Sequence, residues 1–388
     1  ESGTMAGGTL SDVDATDPEA IVTGNGSISN FTVTGTGILS IASENTVLSN
    51  ITLKGGTIDA KVDISGINIY GGKILGSNAV NDSTIYEATD MWTSKTYNNL
   101  TIDGAAQNIG GGNIFNNLTV NDATLMSYSA GNTINGMTIT GGKTFAQALS
   151  DNVFSDVEMY GGKFEVAGTT VVNGIMIDGT AFNTAPGDTS DNIDGHVSTQ
   201  LVAYADGVVI NGMVLQNGGS AFIYAGATAS GATVNSGGVL YLTNWNKDTN
   251  TTANILGDLV VQTGGTLWLG STENNIEKIQ TYAGANIVGI ASGTVINDIV
   301  LRGANIEIDD KLTINNALMG NNQTQTGGLV KTLTNNYGVW TMEGGVLENY
   351  IHNNGNNVDC GIYIKGGTVQ NLDLTKYNGT SYILGGAI

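Results

Sequence analysis

The stretch Leu48–Ile58, L-S-N-I-T-L-K-G-G-T-I, decides how this chain folds. Leu48, Ile51, Leu53 and Ile58 are apolar, and Ile51-Thr52-Leu53 alternates in-out-in, the period-two signature of a short β-strand. Asn50 and Gly55-Gly56 interrupt the alternation. Both residue types accept positive φ, so these positions read as corners between strands. A three-residue strand between two corners cannot build a core by itself. It needs copies stacked above and below.

The copies are present. Ile64–Gly72 (I-S-G-I-N-I-Y-G-G), Ile134–Gly142 (I-N-G-M-T-I-T-G-G), Phe154–Gly162 (F-S-D-V-E-M-Y-G-G) and Ile296–Gly303 (I-N-D-I-V-L-R-G) repeat the pattern. Taking the apolar residue after the corner as a marker, Leu118, Met137, Val157 and Ile175 follow at 19, 20 and 18 residues, and Leu259, Ile279 and Ile299 at 20 each. A strand pattern with a period near 20 residues marks a solenoid. The strict six-residue beat of left-handed hexapeptide helices is missing. The fold class expected is therefore all-β, a right-handed parallel β-helix of about 19–20 residues per coil. Stacking would place Leu48, Ile64, Ile134, Phe154, Val172, Ile210, Ile296 and Val369 in one internal column, and Ile51, Ile67, Met137, Val157, Ile175, Met213, Ile299 and Leu372 in the next.

The continuous repeat predicts a single domain over residues 1–388, with loop insertions near 86–98, 181–206, 244–252 and 316–336, where the pattern lapses. The chain ends at Ile388 in what reads as mid-coil, and it starts without a basic-then-apolar leader, so a piece of a longer protein is expected. Solenoid insertions leave at corners and often carry binding residues. The candidate binding residues are accordingly Trp92, Tyr97, Asp188, Asp191, Trp245 and Lys247.

Composition narrows the chemistry. With 13 lysines and arginines against 34 aspartates and glutamates, the net charge is −21, and no basic face exists for nucleic acid. Cys360 is the single cysteine, which excludes an internal disulfide and cysteine-based zinc sites. His196 and His352 lie too far apart in sequence to share a metal or triad readily. Asp156 and Glu158 are close enough for glycosidase chemistry, but neighbouring coils offer Gly136/Thr138 and Gly174/Met176 there, so no carboxylate pair continues. Arg302 is the one arginine, and Lys278 sits one coil earlier on a different part of the repeat, without the acidic cluster a calcium-dependent lyase needs. No catalytic residue, cofactor or metal ligand is assigned on this reading. Sequons such as Asn30-Phe31-Thr32 and Asn117-Leu118-Thr119 are explained by a corner Asn, an inward apolar residue and an outward Thr; exposed Ser and Thr are candidate O-glycosylation acceptors.

Ala229–Leu240 (A-S-G-A-T-V-N-S-G-G-V-L) resembles the AIDA-type repeat of bacterial autotransporter adhesins, and Gly265-Thr266-Leu267, Gly345-Val346-Leu347 and Gly367-Thr368-Val369 are similar pieces. The resemblance is close over about residues 208–270 and diffuse elsewhere. It implies a passenger domain exported by type V secretion, displayed at the outer membrane of a Gram-negative cell, and used for self-association or for adhesion to a host or bacterial surface protein or glycan. Some relatives carry heptose on Ser and Thr. The translocator barrel of such proteins is not in this sequence. The alternative is a carbohydrate-active β-helix, a polysaccharide lyase or hydrolase or a phage tailspike-like protein, with Trp92 or Trp245 as a sugar platform.

Overall fold

In the computed structural model, each strand runs parallel to the equivalent strand one coil along the chain, and the described residues form an all-β solenoid. The structure describes residues 3–10, 19–22, 26–41, 46–76, 79–89, 94–127, 129–141, 144–179, 199–204, 207–224, 226–243, 254–270, 275–288, 290–353, 360–375 and 382–388. They fall into two compact units, Glu1–Met176 with Thr189–Gln200, and Ile177–Asp188 with Leu201–Ile388.

A coil of the first unit shows why the local sequence bends as it does. Ile114–Asn121 is a single eight-residue strand bent at Asn117, whose φ is 60°. Asp122, at φ 43°, turns the chain into Thr124–Ser127. The bent strand thus supplies two short straight segments with the corner between them. Its side chains point inward at Phe115, Leu118 and Val120, all buried. Asn30, Asn50, Asn99, Asn117 and Asp156 occupy the same corner with positive φ, as do Gly66, Gly136 and Gly174.

The two expected internal columns form. Phe115 pairs with Ile134 and Ile134 with Phe154, while Leu118, Met137 and Val157 run beside them. In the second unit Ile276, Ile296, Ile314, Val330, Leu347 and Val369 form one column in register. All the residues assigned to these columns are buried except Leu372, which is half-buried. Burying each Val, Leu or Ile is worth about 1.5–3 kcal/mol, so the columns are the main source of stability. The double-glycine corners stack closely too. A Cβ on Gly72 (φ 94°) would lie 2.7 Å from the carbonyl oxygen of Gly56, and one on Gly56 (φ 70°) 2.6 Å from that of Gly37.

Coil length varies more than the sequence period suggests. Paired residues are 16 apart between Ile51 and Ile67 and 26 apart between Thr228 and Asn254. The long coil contains the expected 244–252 insertion. Asp178 and Gln216, 38 apart in sequence, are hydrogen-bonded neighbours, which accommodates the insertion near 181–206; its described end, Gln200–Ala203, is strand. Two expected insertions are corrected. Across 86–98 the coil stays short, with Val80 opposite Tyr97 and Thr84 opposite Thr101, 17 residues each. Residues 316–336 are regular coil: Leu312–Met319, Gln323–Gln325 and Leu329–Asn335 are strands. The apolar beat fails there because Gln323 and Gln325 point inward, where Gln323 Nε2 donates to the Ala304 carbonyl at 3.0 Å and Gln325 Nε2 to those of Gly327 and Val346 at 3.1 Å.

Candidate binding faces

The outer side of the first unit carries side-chain ladders, because parallel in-register stacking sets like residues one above another. Asn81, Asn98, Asn116 and Asn135 form one rank: each amide Nδ2 donates to the Oδ1 of the preceding coil, at 2.6, 2.8 and 2.9 Å. At the corner, Asn99 donates to Asp82 at 2.8 Å and Asn117 to Asn99 at 3.0 Å. Beyond the corner, Thr32, Thr52, Asn68, Thr84, Thr101, Thr119 and Thr138 lie in one outward column. Threonine recurs rung after rung as a single file, and only short T-x-T pairs such as Thr138-Ile139-Thr140 widen it. Tyr70 stacks on Tyr86 with ring centroids 4.8 Å apart, and Lys54 Nζ lies 5.5 Å from the Tyr70 ring centre.

The second unit presents a different outer surface on its short strands. Phe222, Tyr241 and Trp268 are in register on Ser220–Tyr224, Val239–Thr243 and Thr266–Leu269. Phe222 and Tyr241 stack with centroids 4.5 Å apart and planes 2° from parallel. Tyr241 to Trp268 is looser, at 6.1 Å and 39°. Tyr241 points outward yet is only 9% exposed, because its ring lies between its two neighbours, whereas Trp268 is 43% exposed. Tyr204 and Tyr224 make a second stack at 5.2 Å. Such pairs contribute about 0.5–1.5 kcal/mol each beyond their burial.

Past Trp268 the rung carries Val288, and then strand pairing in this sheet breaks. Asn305–Ile306 closes one sheet and Gln323–Gln325 opens another, linked by a bridge from Ile308 to Gln325. Two clefts, in chain order of about 490 and 550 Å³, open over this break and share Asn305 and Ile306.

Of the candidate binding residues, Trp92, Asp188, Asp191, Trp245 and Lys247 lie outside the described residues. Tyr97 is corrected. It sits in the strand Thr96–Asp103, 4% exposed, and stacks on Phe115 at 4.9 Å, so it belongs to the internal column and not to a loop. Sequence reasoning missed this because Tyr97 follows a lapse in the pattern, although its spacing of 18 to Phe115 carried the signal. Asp156 is a corner and Glu158 faces Thr138 across the rung, so the carboxylates meet no partner pair there. Lys278 pairs with Asp258 at 2.7 Å, and the Arg302 guanidinium lies 5.0 Å from the Tyr282 ring centre; both basic groups are engaged structurally.

A polar cell inside the second unit was not legible from sequence. Asn335 and His352 occupy successive inward positions and Cys360 packs beside them, at 0, 1 and 2% exposure. Asn335 Nδ2 donates to Tyr350 Oη at 2.9 Å and to the carbonyls of Gly338 and Gly361 at 3.1 Å; Cys360 Sγ donates to Asn335 Oδ1 at 3.2 Å and lies 3.9 Å from His352 Nδ1. The residue types are those of a thiol protease, but the chemistry is opposed. Burial pushes the Cys360 thiol up, away from thiolate, and the group is closed to any substrate. This cell is polar packing.

Among the described residues no group of three or more His, Cys, Asp and Glu side chains is placed to hold a metal, and no helix is long and apolar enough to cross a membrane. Comparison with protein-family models, curated proteins and solved structures finds no match.

Proposed function

We propose that this chain is a non-enzymatic adhesive passenger, displayed on a Gram-negative cell surface after type V secretion, whose outer faces mediate aggregation or attachment. The observation that carries the reading is the in-register outer surface of the first unit. Its Asn and Thr ranks repeat an identical hydrogen-bonding edge on successive rungs, about 4.8 Å apart. Each contact with a matching surface is weak, and repetition along the face makes the sum avid. The repeat at Ala229–Leu240 supports the same reading by its similarity to autotransporter adhesins.

The test is bead aggregation with purified protein. A net charge of −21 makes copies repel one another, so added salt, which shortens the screening length to about 10 Å at 0.1 M, is expected to promote clustering through the neutral ranks. Thr101→Glu with Thr119→Glu should abolish clustering while leaving the β circular-dichroism signal intact. A protein that stays monomeric at high concentration and high salt would remove the self-association reading.

A further inference from the structure

We infer that the broken sheet of the second unit is a binding groove for a short, neutral, linear oligosaccharide, with Trp268 as its stacking platform. This site is separate from the Asn and Thr ranks and does not depend on their self-association.

The aromatic row itself defines the platform. Tyr241 lies between Phe222 and Trp268, so its faces are covered and it is only 9% exposed. Trp268 differs because it is tilted from Tyr241 and faces a small residue, Val288, on the following rung. An indole 43% exposed suits the C–H face of a sugar ring.

The groove continues from there in the same file. Val288 lines the first cleft, and Thr324, Thr341 and Tyr363, in register with one another, line the second. From the Trp268 rung to the Tyr363 rung is five coil steps, about 24 Å at the ordinary strand spacing. That length fits several sugar units and far exceeds one. Its lining alternates apolar floor (Val288, Ile306) with amide, hydroxyl and phenol groups (Asn305, Thr324, Thr341, Tyr363), matching the alternation of a sugar chain between apolar ring faces and hydroxyl edges.

Charge selects among glycans. Lys311 in the first cleft is paired with Asp309 at 3.2 Å, and Glu307 beside them leaves the groove acidic, so uronates and sulfated sugars are repelled.

The experiment is isothermal titration of the purified chain with maltopentaose, cellopentaose and chitopentaose, with pentagalacturonate as the anionic control. Binding of at least one neutral probe is expected, weakened tenfold or more by Trp268→Ala, an exposed position whose loss leaves the core untouched. Thr341→Arg, which fills the second cleft from outside without removing the indole, should weaken it similarly and guards against a folding artefact in the first variant. Three results overturn the assignment: no heat with any neutral probe at millimolar concentration, equal binding of pentagalacturonate, or neutral binding unchanged in both variants. Bead aggregation is read separately, so either idea can fail while the other stands.

Discussion

At the scale of single residues, the interior polar cell shows how a side chain's meaning depends on its enclosure. Asn335 bonds to three oxygens and takes the Cys360 thiol on its own oxygen, so one amide serves four groups, three of them from other coils. Leaving buried acceptors unpaired costs about 1–3 kcal/mol each, which makes this a sensitive point despite its lack of chemistry. The thiol offers a clean readout. Because burial raises its pKa, the folded chain holds the proton more tightly than the unfolded chain does. The associated stability is fully present below the ordinary thiol value of 9.0 and is lost as pH rises through the higher folded value. Comparing wild type with Cys360→Ala in thermal melts at pH 7 and pH 10 should therefore show a steeper alkaline loss in the wild type. Parallel curves would mean that the thiol is not desolvated in the fold.

At the scale of the coil, two kinds of asparagine ladder look alike in sequence and differ in worth. Asn113, Asn132 and Asn152 are 0–1% exposed, and their Oδ1 atoms accept from the backbone N–H of Lys95, Asn113 and Asn132, at 2.9, 2.9 and 3.0 Å. They bind each coil to the next from within. Asn98, Asn116 and Asn135 do so from outside, where water substitutes readily. Asn132→Ala strands the Asn113 N–H and is expected to cost about 2–3 kcal/mol, whereas Asn135→Ala should cost less than about 1 kcal/mol. Urea unfolding midpoints measure both; equal shifts would contradict the distinction between inner and outer ranks.

At the scale of the whole molecule, stability is distributed along the stack, since a coil contacts chiefly its immediate neighbours. Ile139 is fully buried between Val120 and Met159 on adjoining rungs. Ile139→Asp places an uncompensated charge there, and local opening should become easier by about 3–5 kcal/mol in those rungs. Amide hydrogen exchange is expected to show the loss around Val120 and Met159 while Val33 and Leu53, several coils away in the same unit, keep their protection. A uniform loss across the unit would point to one cooperative block instead.

The amino-acid sequence alone determined most of the strands, the corners and the apolar inward residues, but not the polar inward ones such as Gln323, Gln325 and Asn335. Each follows from a local rule: alternation with period two, positive φ at Asn and Gly, and apolar residues turned from water. Tyr97 obeyed those rules and was misplaced only because a lapse in the pattern beside it looked like an insertion. What the tertiary structure decided is which residues become neighbours across coils. Neighbouring rungs 16 to 38 residues apart cannot be aligned by a constant period, so register is set by strand pairing, a long-range property. Through it Trp268 comes to lie beside Tyr241, Cys360 beside Asn335, and the break after Asn305–Ile306 becomes a groove.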